Sequence, residues 1–347
     1  MHRRHFLHSA ALALAAAAPA ARAWGQPRPF RVLLNSNISG PQAFFFLAQD
    51  RGYMKAAGVD AAFTGGDGAA AIVPRIGPEG FDFGYGDLNA LVPLVARNVA
   101  DAPIAVWVGF NTTPLTIAVD ASGPVKAPKD LEGRVVAGHP IDAALEVFPE
   151  FAAATGIDAR AVTVRRSPAS MRSLVEDMLA GRSAGVFGFV NTIIAAVAPA
   201  GIDGRTRIRF LEYRHHTPDL YGNTLMVSRR LLAERPADVT AFVRAVNRGL
   251  ADTVTDLDAA IASVVARDKT VRPDVDTPRL AGTLAMEMAH PEGARIGIGD
   301  VDDDRLTRGI ALIAKSRGLP RVPAASEIFT RACLPPLAER VTSLARG

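Results

Sequence analysis

The side chains able to do chemistry sit in a few short loops. The first is Asn35-Ser36-Asn37-Ile38-Ser39-Gly40-Pro41-Gln42, dense in amides and hydroxyls beside a helix start. Free N–H groups there favour anions or ligand carbonyls, and Asn37, Gln42 and Phe44 are the candidate contacts; plain helix capping is the competing reading. The turn Gly65-Gly66-Asp67-Gly68 lets backbone approach a ligand, with Gly66 and Asp67 as candidates. It lacks the lysine and spacing of a phosphate loop, and glycine needed only for the turn would also explain it. Gly86-Asp87-Leu88-Asn89 offers Asn89, with Asp87 as an N-cap. Further on, Gly138-His139-Pro140-Ile141-Asp142 offers His139, and Phe187-Gly188-Phe189-Val190-Asn191 offers Phe189 as a stacking platform and Asn191 as an amide contact. Tyr221 follows His215-His216-Thr217-Pro218-Asp219-Leu220, and Tyr221 or one of the histidines is a further candidate contact. Aromatics in such places also serve as core.

No catalytic or metal pattern emerges from these groups. His139, Asp142 and Ser167 could be drawn as a triad, yet no G-x-S-x-G elbow and no H-E-x-x-H spacing is present. His215 and His216 are adjacent, so in a strand they point apart and share no metal. Cys333 is the single cysteine, which excludes an intrachain disulfide or a thiolate cluster and fits a small buried apolar residue. The expectation is a binding protein without a catalytic residue, metal or cofactor.

These loops need strands and helices to hold them. Short apolar runs (30–34, 59–63, 81–84, 104–108) alternate with helical stretches (41–56, the segment after Gly68 through Val73, 87–97), which predicts an α/β unit with a mostly parallel sheet. A Pro- and Lys-containing approach, 124–131, precedes a second unit with strands at 134–137, 162–164, 184–187 and 208–211. Its helices are expected at 141–155, 167–180 and 191–198, with Ser167-Pro168 opening the middle one. One more strand, 223–227, is followed by helices only: 236–250, 257–266, 278–288 and 303–316. A lone strand there must return to the first sheet. The expected division is therefore lobe 1 from 28–112 plus 224–345 and lobe 2 from 113–223, with the two crossings, near 110–115 and 221–225, forming a hinge.

The 347 residues are 49% hydrophobic and 21% charged, a globular balance. The formal charge of +4 is concentrated at the start, where residues 1–23 carry Arg3, Arg4 and Arg22 and no acid. The rest is close to neutral, and its arginines form no stripe with interleaved aromatics, so nucleic-acid binding is not expected. Arg3-Arg4-His5-Phe6-Leu7, an apolar run from Ala10 to Ala18, and Ala21-Arg22-Ala23 together read as a twin-arginine signal peptide cleaved after Ala23. The run is too short to span a bilayer, and no cysteine near the cut could carry a lipid.

Five segments, in order, carry a family resemblance: 50–59 (Asp50-Arg51-Gly52-Tyr53-Met54-Lys55-Ala56-Ala57-Gly58-Val59), 65–70 (Gly65-Gly66-Asp67-Gly68-Ala69-Ala70), 81–87 (Phe81-Asp82-Phe83-Gly84-Tyr85-Gly86-Asp87), 127–134 (Ala127-Pro128-Lys129-Asp130-Leu131-Glu132-Gly133-Arg134), and Tyr221-Gly222-Asn223-Thr224-Leu225 with Pro236 and 239–245. Over nearly the whole chain after the leader, the sequence resembles the substrate-binding proteins of the nitrate/sulfonate/taurine and thiamine-pyrimidine-precursor (NMT1/THI5-like) family. The resemblance implies a type II periplasmic-binding-protein fold, an α/β architecture in which two lobes close on a small polar or aromatic molecule. It also implies a monomer in the periplasm that delivers its ligand to an ABC permease and its ATPase. The superfamily includes a pyrimidine-synthase enzyme that consumes its own histidine and pyridoxal phosphate. Its cysteine-rich motif is absent here. An exported ligand sensor is the other alternative.

Overall fold

The computed structural model describes residues 28–344; the expected leader lies outside them. Among the described residues, ten strands make two mixed sheets. The first contains β1 (Phe30–Leu33), β2 (Ala61–Thr64), β3 (Phe83–Asp87), β4 (Ile104–Val108) and β10 (Asn223–Val227), in the order β2-β1-β3-β10-β4. β1 pairs in parallel with β2 and β3, while β10 is inserted antiparallel between β3 and β4. The second contains β5 (Leu115–Asp120), β6 (Val135–Gly138), β7 (Thr163–Arg166), β8 (Gly185–Phe189) and β9 (Ile208–Glu212), in the order β7-β6-β8-β5-β9. There β5 is the antiparallel member, against β8 and β9. The chain passes between the sheets twice, after β4 and after β9.

Burial on both faces explains the near-continuous apolar character of β3, β4 and β10, whose residues are all buried. One core packs helices Ala43–Asp50, Pro236–Thr255 and Leu257–Arg267 onto the first sheet through Phe44, Phe45, Phe242 and Val246. A second runs without a break from Val73 and Leu91 through Leu306 and Ile310 of helix Asp303–Ser316 to Phe151 and Phe187 of the other lobe. The third covers the remaining face of the second sheet with Leu174, Val175, Ile193 and Val197.

Several boundaries differ from the sequence reading. No α-helix follows Gly68: residues 73–75 form one 3-10 turn, because Pro74 supplies no N–H and Gly77 turns the chain at φ +95°. Strand β5 stands where the sequence reading expects only a crossing. Helix Met171–Leu179 starts later than expected, and its cap is Ser170, which accepts from Ser173 N, whereas Ser167 bonds Ala169 N in a local turn. The expected helix 278–288 instead begins at Pro273 and widens into a π-helical turn at Thr283–Met288.

Helix Pro236–Thr255 crosses Ala43–Asp50 at Gly249, where an added Cβ would lie 2.2 Å from the Phe44 carbonyl oxygen and 2.6 Å from Ala48 Cβ. Alanine in place of a helical glycine gains up to ~1 kcal/mol of backbone entropy. Forcing two buried backbones apart costs about 1–3 kcal/mol, so Gly249→Ala is expected to lower the urea midpoint. A raised midpoint would show that the helices separate freely.

Candidate functional site

In open α/β sheets, loops at the carboxyl ends of parallel strands converge where the lobes face each other. Here the ends of β1, β2, β6 and β8 surround a cavity of about 180 Å³. The first lobe contributes Asn35 and Ser36 after β1, and Asp67, Gly68 and Ala69 after β2. The second contributes His139, Ile141 and Asp142 after β6, Phe189 at the end of β8, and Thr192 and Met171 from the adjoining helices. Arg279, on helix Pro273–Gly282, completes the wall. A larger cavity of about 470 Å³, lined by Asp120, Val135 and Ala184, opens at the opposite end of the second sheet, where no parallel strand delivers its carboxyl end.

Gln42, 1% exposed, orders the first loop: its Nε2 donates to Asn35 Oδ1 at 2.7 Å and Ser36 Oγ at 3.0 Å, and its Oε1 accepts from Ser39 N. It sets the positions of Asn35 and Ser36 without lining the cavity itself. Gly66 is a turn residue in the strict sense, since a Cβ would fall 1.9 Å from the Leu34 carbonyl oxygen. Asp67 faces the cavity rim and pairs with Arg75 at 3.3 Å. Asn191, 4% exposed, is a clasp between lobes: its Nδ2 donates to the Arg279 carbonyl at 2.6 Å and to Thr283 Oγ1 at 3.1 Å, an approach that Gly282 permits.

Four expected contacts lie elsewhere. Phe44 is fully buried among Phe45, Tyr85 and Trp107. Asn89 is buried and donates to Asp87 Oδ1 and the Tyr221 carbonyl. Tyr221 is 1% exposed, with the Arg305 guanidinium 4.0 Å from its ring and its hydroxyl bonded to Glu292. Asn37 is exposed beside Gly65 and outside the cavity lining. The structure thus brings His139, Phe189 and Asp67 to the cavity, with Gln42, Gly66 and Asn191 as their supports. His216 packs edge-on against Phe151, and among the described residues no cluster of His, Cys, Asp and Glu could hold a metal ion.

Arg279 was missed by the sequence reading. Its Nη2 donates to Thr192 Oγ1 at 3.2 Å, while Nε is buried with no hydrogen-bond partner among the described residues. Burial lowers its pKa, opposed by the nearby Asp276 and Glu287. Arg279, Thr283 and Glu287 recur every four residues, a spacing that places them along one face; this is the signal that could have found them. Glu287 is 3% exposed, and burial raises its pKa to about 7 against the bond to Thr283 and the charge of Arg279. Asp142 is raised to about 6, again chiefly by burial, with the Ala144 and Leu145 N–H groups and His139 opposing. The wall therefore offers a guanidinium edge, an aromatic face and amide and hydroxyl groups. It holds no paired nucleophile and base.

The model of the family described as NMT1/THI5 like matches residues 41–260. The chain belongs to that family. No curated protein matches it. Solved structures place this NMT1/THI5-like chain among proteins of periplasmic-binding-protein fold. The alkanesulfonate-binding protein SsuA from Xanthomonas axonopodis pv. citri, bound to MOPS, is 17% identical, with 88% of this chain and 99% of that one covered and a TM-score of 0.63. The periplasmic aliphatic sulphonate binding protein SsuA from Escherichia coli is 13% identical, with 88% and 92% covered and a TM-score of 0.64. The desulfurization enzyme DszB is 14% identical, with 88% and 97% covered and a TM-score of 0.54. The structures that share this chain's fold thus include both binding proteins and an enzyme. Among the described residues no helix is long and apolar enough to cross a membrane.

Proposed function

We propose that this chain is the solute-binding component of an ABC importer, exported to the periplasm by the twin-arginine route. It captures a small polar or aromatic molecule between its lobes, as a monomer that delivers it to a permease and ATPase. The observation that carries this reading is the cavity itself: both lobes and a C-terminal helix supply its wall, so occupancy and lobe closure are coupled. Its volume, about 180 Å³, falls below the ~300–1,000 Å³ of drug-sized pockets, which limits the cargo to a small solute. Arg279 Nε, Thr192 and Asn35 give it polar partners, and Phe189 gives it a face to stack on. Cys333, buried with its pKa raised by that burial, lines none of this cavity, which favours binding over thiol chemistry.

A thermal-shift screen against pyrimidines, aromatic acids, sulfonates, nitrate and amino acids tests the reading. A ligand at 100 times its dissociation constant adds about 2.7 kcal/mol to the folded state. The expected hit loses its shift in Arg279→Met and in Phe189→Ala and is recovered chemically unaltered. A hit insensitive to both substitutions would move the site elsewhere, and a hit recovered as product would establish an enzyme.

A further inference from the structure

A second space lies between the lobes. Gly68 approaches Ile141 so closely that an added Cβ would stand 2.8 Å from the Ile141 carbonyl oxygen, and Ile141 lines both this space and the cavity at Phe189, whereas Gly68 lines only the latter. The second space is a chamber of about 220 Å³ whose apolar walls include Pro74, Pro93 and Leu94 from the first lobe and Ile141 and Val147 from the second. Three charged residues border it: Asp87, Glu146 and Arg317.

Arg317 is already committed. Its Nε donates to Glu150 Oε1 at 2.7 Å, and its Nη2 donates to the Glu146 carbonyl at 2.6 Å and to Glu150 Oε2 at 3.3 Å, with Glu150 fully buried. Glu146 is 3.6 Å from Arg166 at the surface. Asp87 is different. It is 1% exposed, and its Oδ1 accepts from Asn89 N at 3.0 Å and Asn89 Nδ2 at 2.7 Å, yet Oδ2 has no hydrogen-bond partner among the described residues. A buried acceptor left unpaired is costly, and a charged one more so. Burial is also the largest cause raising the Asp87 carboxyl to about 6, against the Asn89 bonds and the charge of Arg317.

We propose that this chamber is a second binding site and that it takes a small amine with an apolar body, whose ammonium group donates to Asp87 Oδ2. The apolar walls receive one ring or a short alkyl chain, since the volume is again below that of drug-sized pockets. An anion is disfavoured, because the only guanidinium on the wall is neutralised by Glu150 while Asp87 remains. Both lobes supply walls, so an occupant stabilises the arrangement in which they meet.

Titration calorimetry at pH 7.5 with benzylamine, benzyl alcohol and benzoate tests this. Benzylamine is expected to bind saturably and at least tenfold more tightly than the other two. Asp87→Asn keeps an oxygen for the Asn89 bonds and should weaken benzylamine at least tenfold with an unchanged circular dichroism spectrum. Leu94→Trp fills chamber space while leaving the Asp87 carboxylate in the chain, and it lies outside the cavity at Phe189, so it should abolish the same signal. Absence of saturable benzylamine binding, equal binding of the alcohol, or benzylamine affinity unaffected by either substitution would overturn the proposal.

Discussion

Arg305→Ala is expected to destabilise the protein by about 3–5 kcal/mol, the cost of leaving a buried charge without its partner. Arg305 lies in the first turn of helix Asp303–Ser316, and its Nη1 bonds Glu292 Oε1 at 2.9 Å, with the two side chains 7% and 6% exposed. The same guanidinium donates to the carbonyls of Pro218 and Leu220, each at 3.1 Å. Glu292 in turn accepts from Asn111 Nδ2 at 3.0 Å and from the Tyr221 hydroxyl at 3.3 Å, and that hydroxyl accepts from Asp302 N at 2.9 Å. One ion pair therefore ties both interlobe crossings to the C-terminal helix. Urea denaturation reads the loss. Removing both charges, as in Glu292→Leu with Arg305→Met, should recover at least half of it, because no bare charge is then left buried. A single-variant loss below about 1 kcal/mol would place the crossings under other control than this charge-assisted network.

Glu287→Gln is expected to stabilise the protein at high pH and to leave it unchanged at low pH. The carboxyl titrates at about 7 in the folded chain against an ordinary value of 4.5. The folded state therefore holds its proton more tightly than the unfolded state, so this group's contribution is fully present below pH 4.5 and is lost as pH rises through 7. At about 1.4 kcal/mol for each pKa unit, ionising the buried group costs roughly 3 kcal/mol by pH 8. The glutamine variant lacks that cost. The raised Asp87 and Asp142 remain in both proteins and cancel in the difference. Denaturation midpoints at pH 4.5 and pH 8 decide it: coincidence at the first and a gain of ~2–4 kcal/mol at the second is the expected pattern, and an offset equal at both would rule it out. Because Glu287 shares its helix face with Arg279, the comparison also tests how strongly that guanidinium holds the acid ionised.

The alternation of apolar runs and helical stretches made the α/β architecture readable, and strands 104–108 and 223–227 match the structure to the residue. Period and length carried those elements because both are buried on two faces. β5 was hidden because Thr116 interrupts its apolar run and Pro114 precedes it, so it resembled a connection; only its pairing with β8 and β9 makes it a strand. The loops at strand ends were legible as places, less so as contacts. Gln42 and Asn191 have the polarity of ligand residues, but the first spends it on its own loop and the second on the other lobe. Tyr221 likewise commits its hydroxyl to Glu292 and the Asp302 N–H. Arg279 escaped because a single arginine in a helix reads as solvated surface until tertiary packing buries it.

Helix Asp303–Ser316 leans on helix Leu91–Ala96 of one lobe, while Arg317 and Ser316 at its end grip Glu150 in helix Phe148–Thr155 of the other. It joins the lobes independently of the Asn191 clasp on Arg279 and Thr283. Two polar fastenings, carried by different helices of the C-terminal part of the chain, therefore have to be broken before the lobes can part.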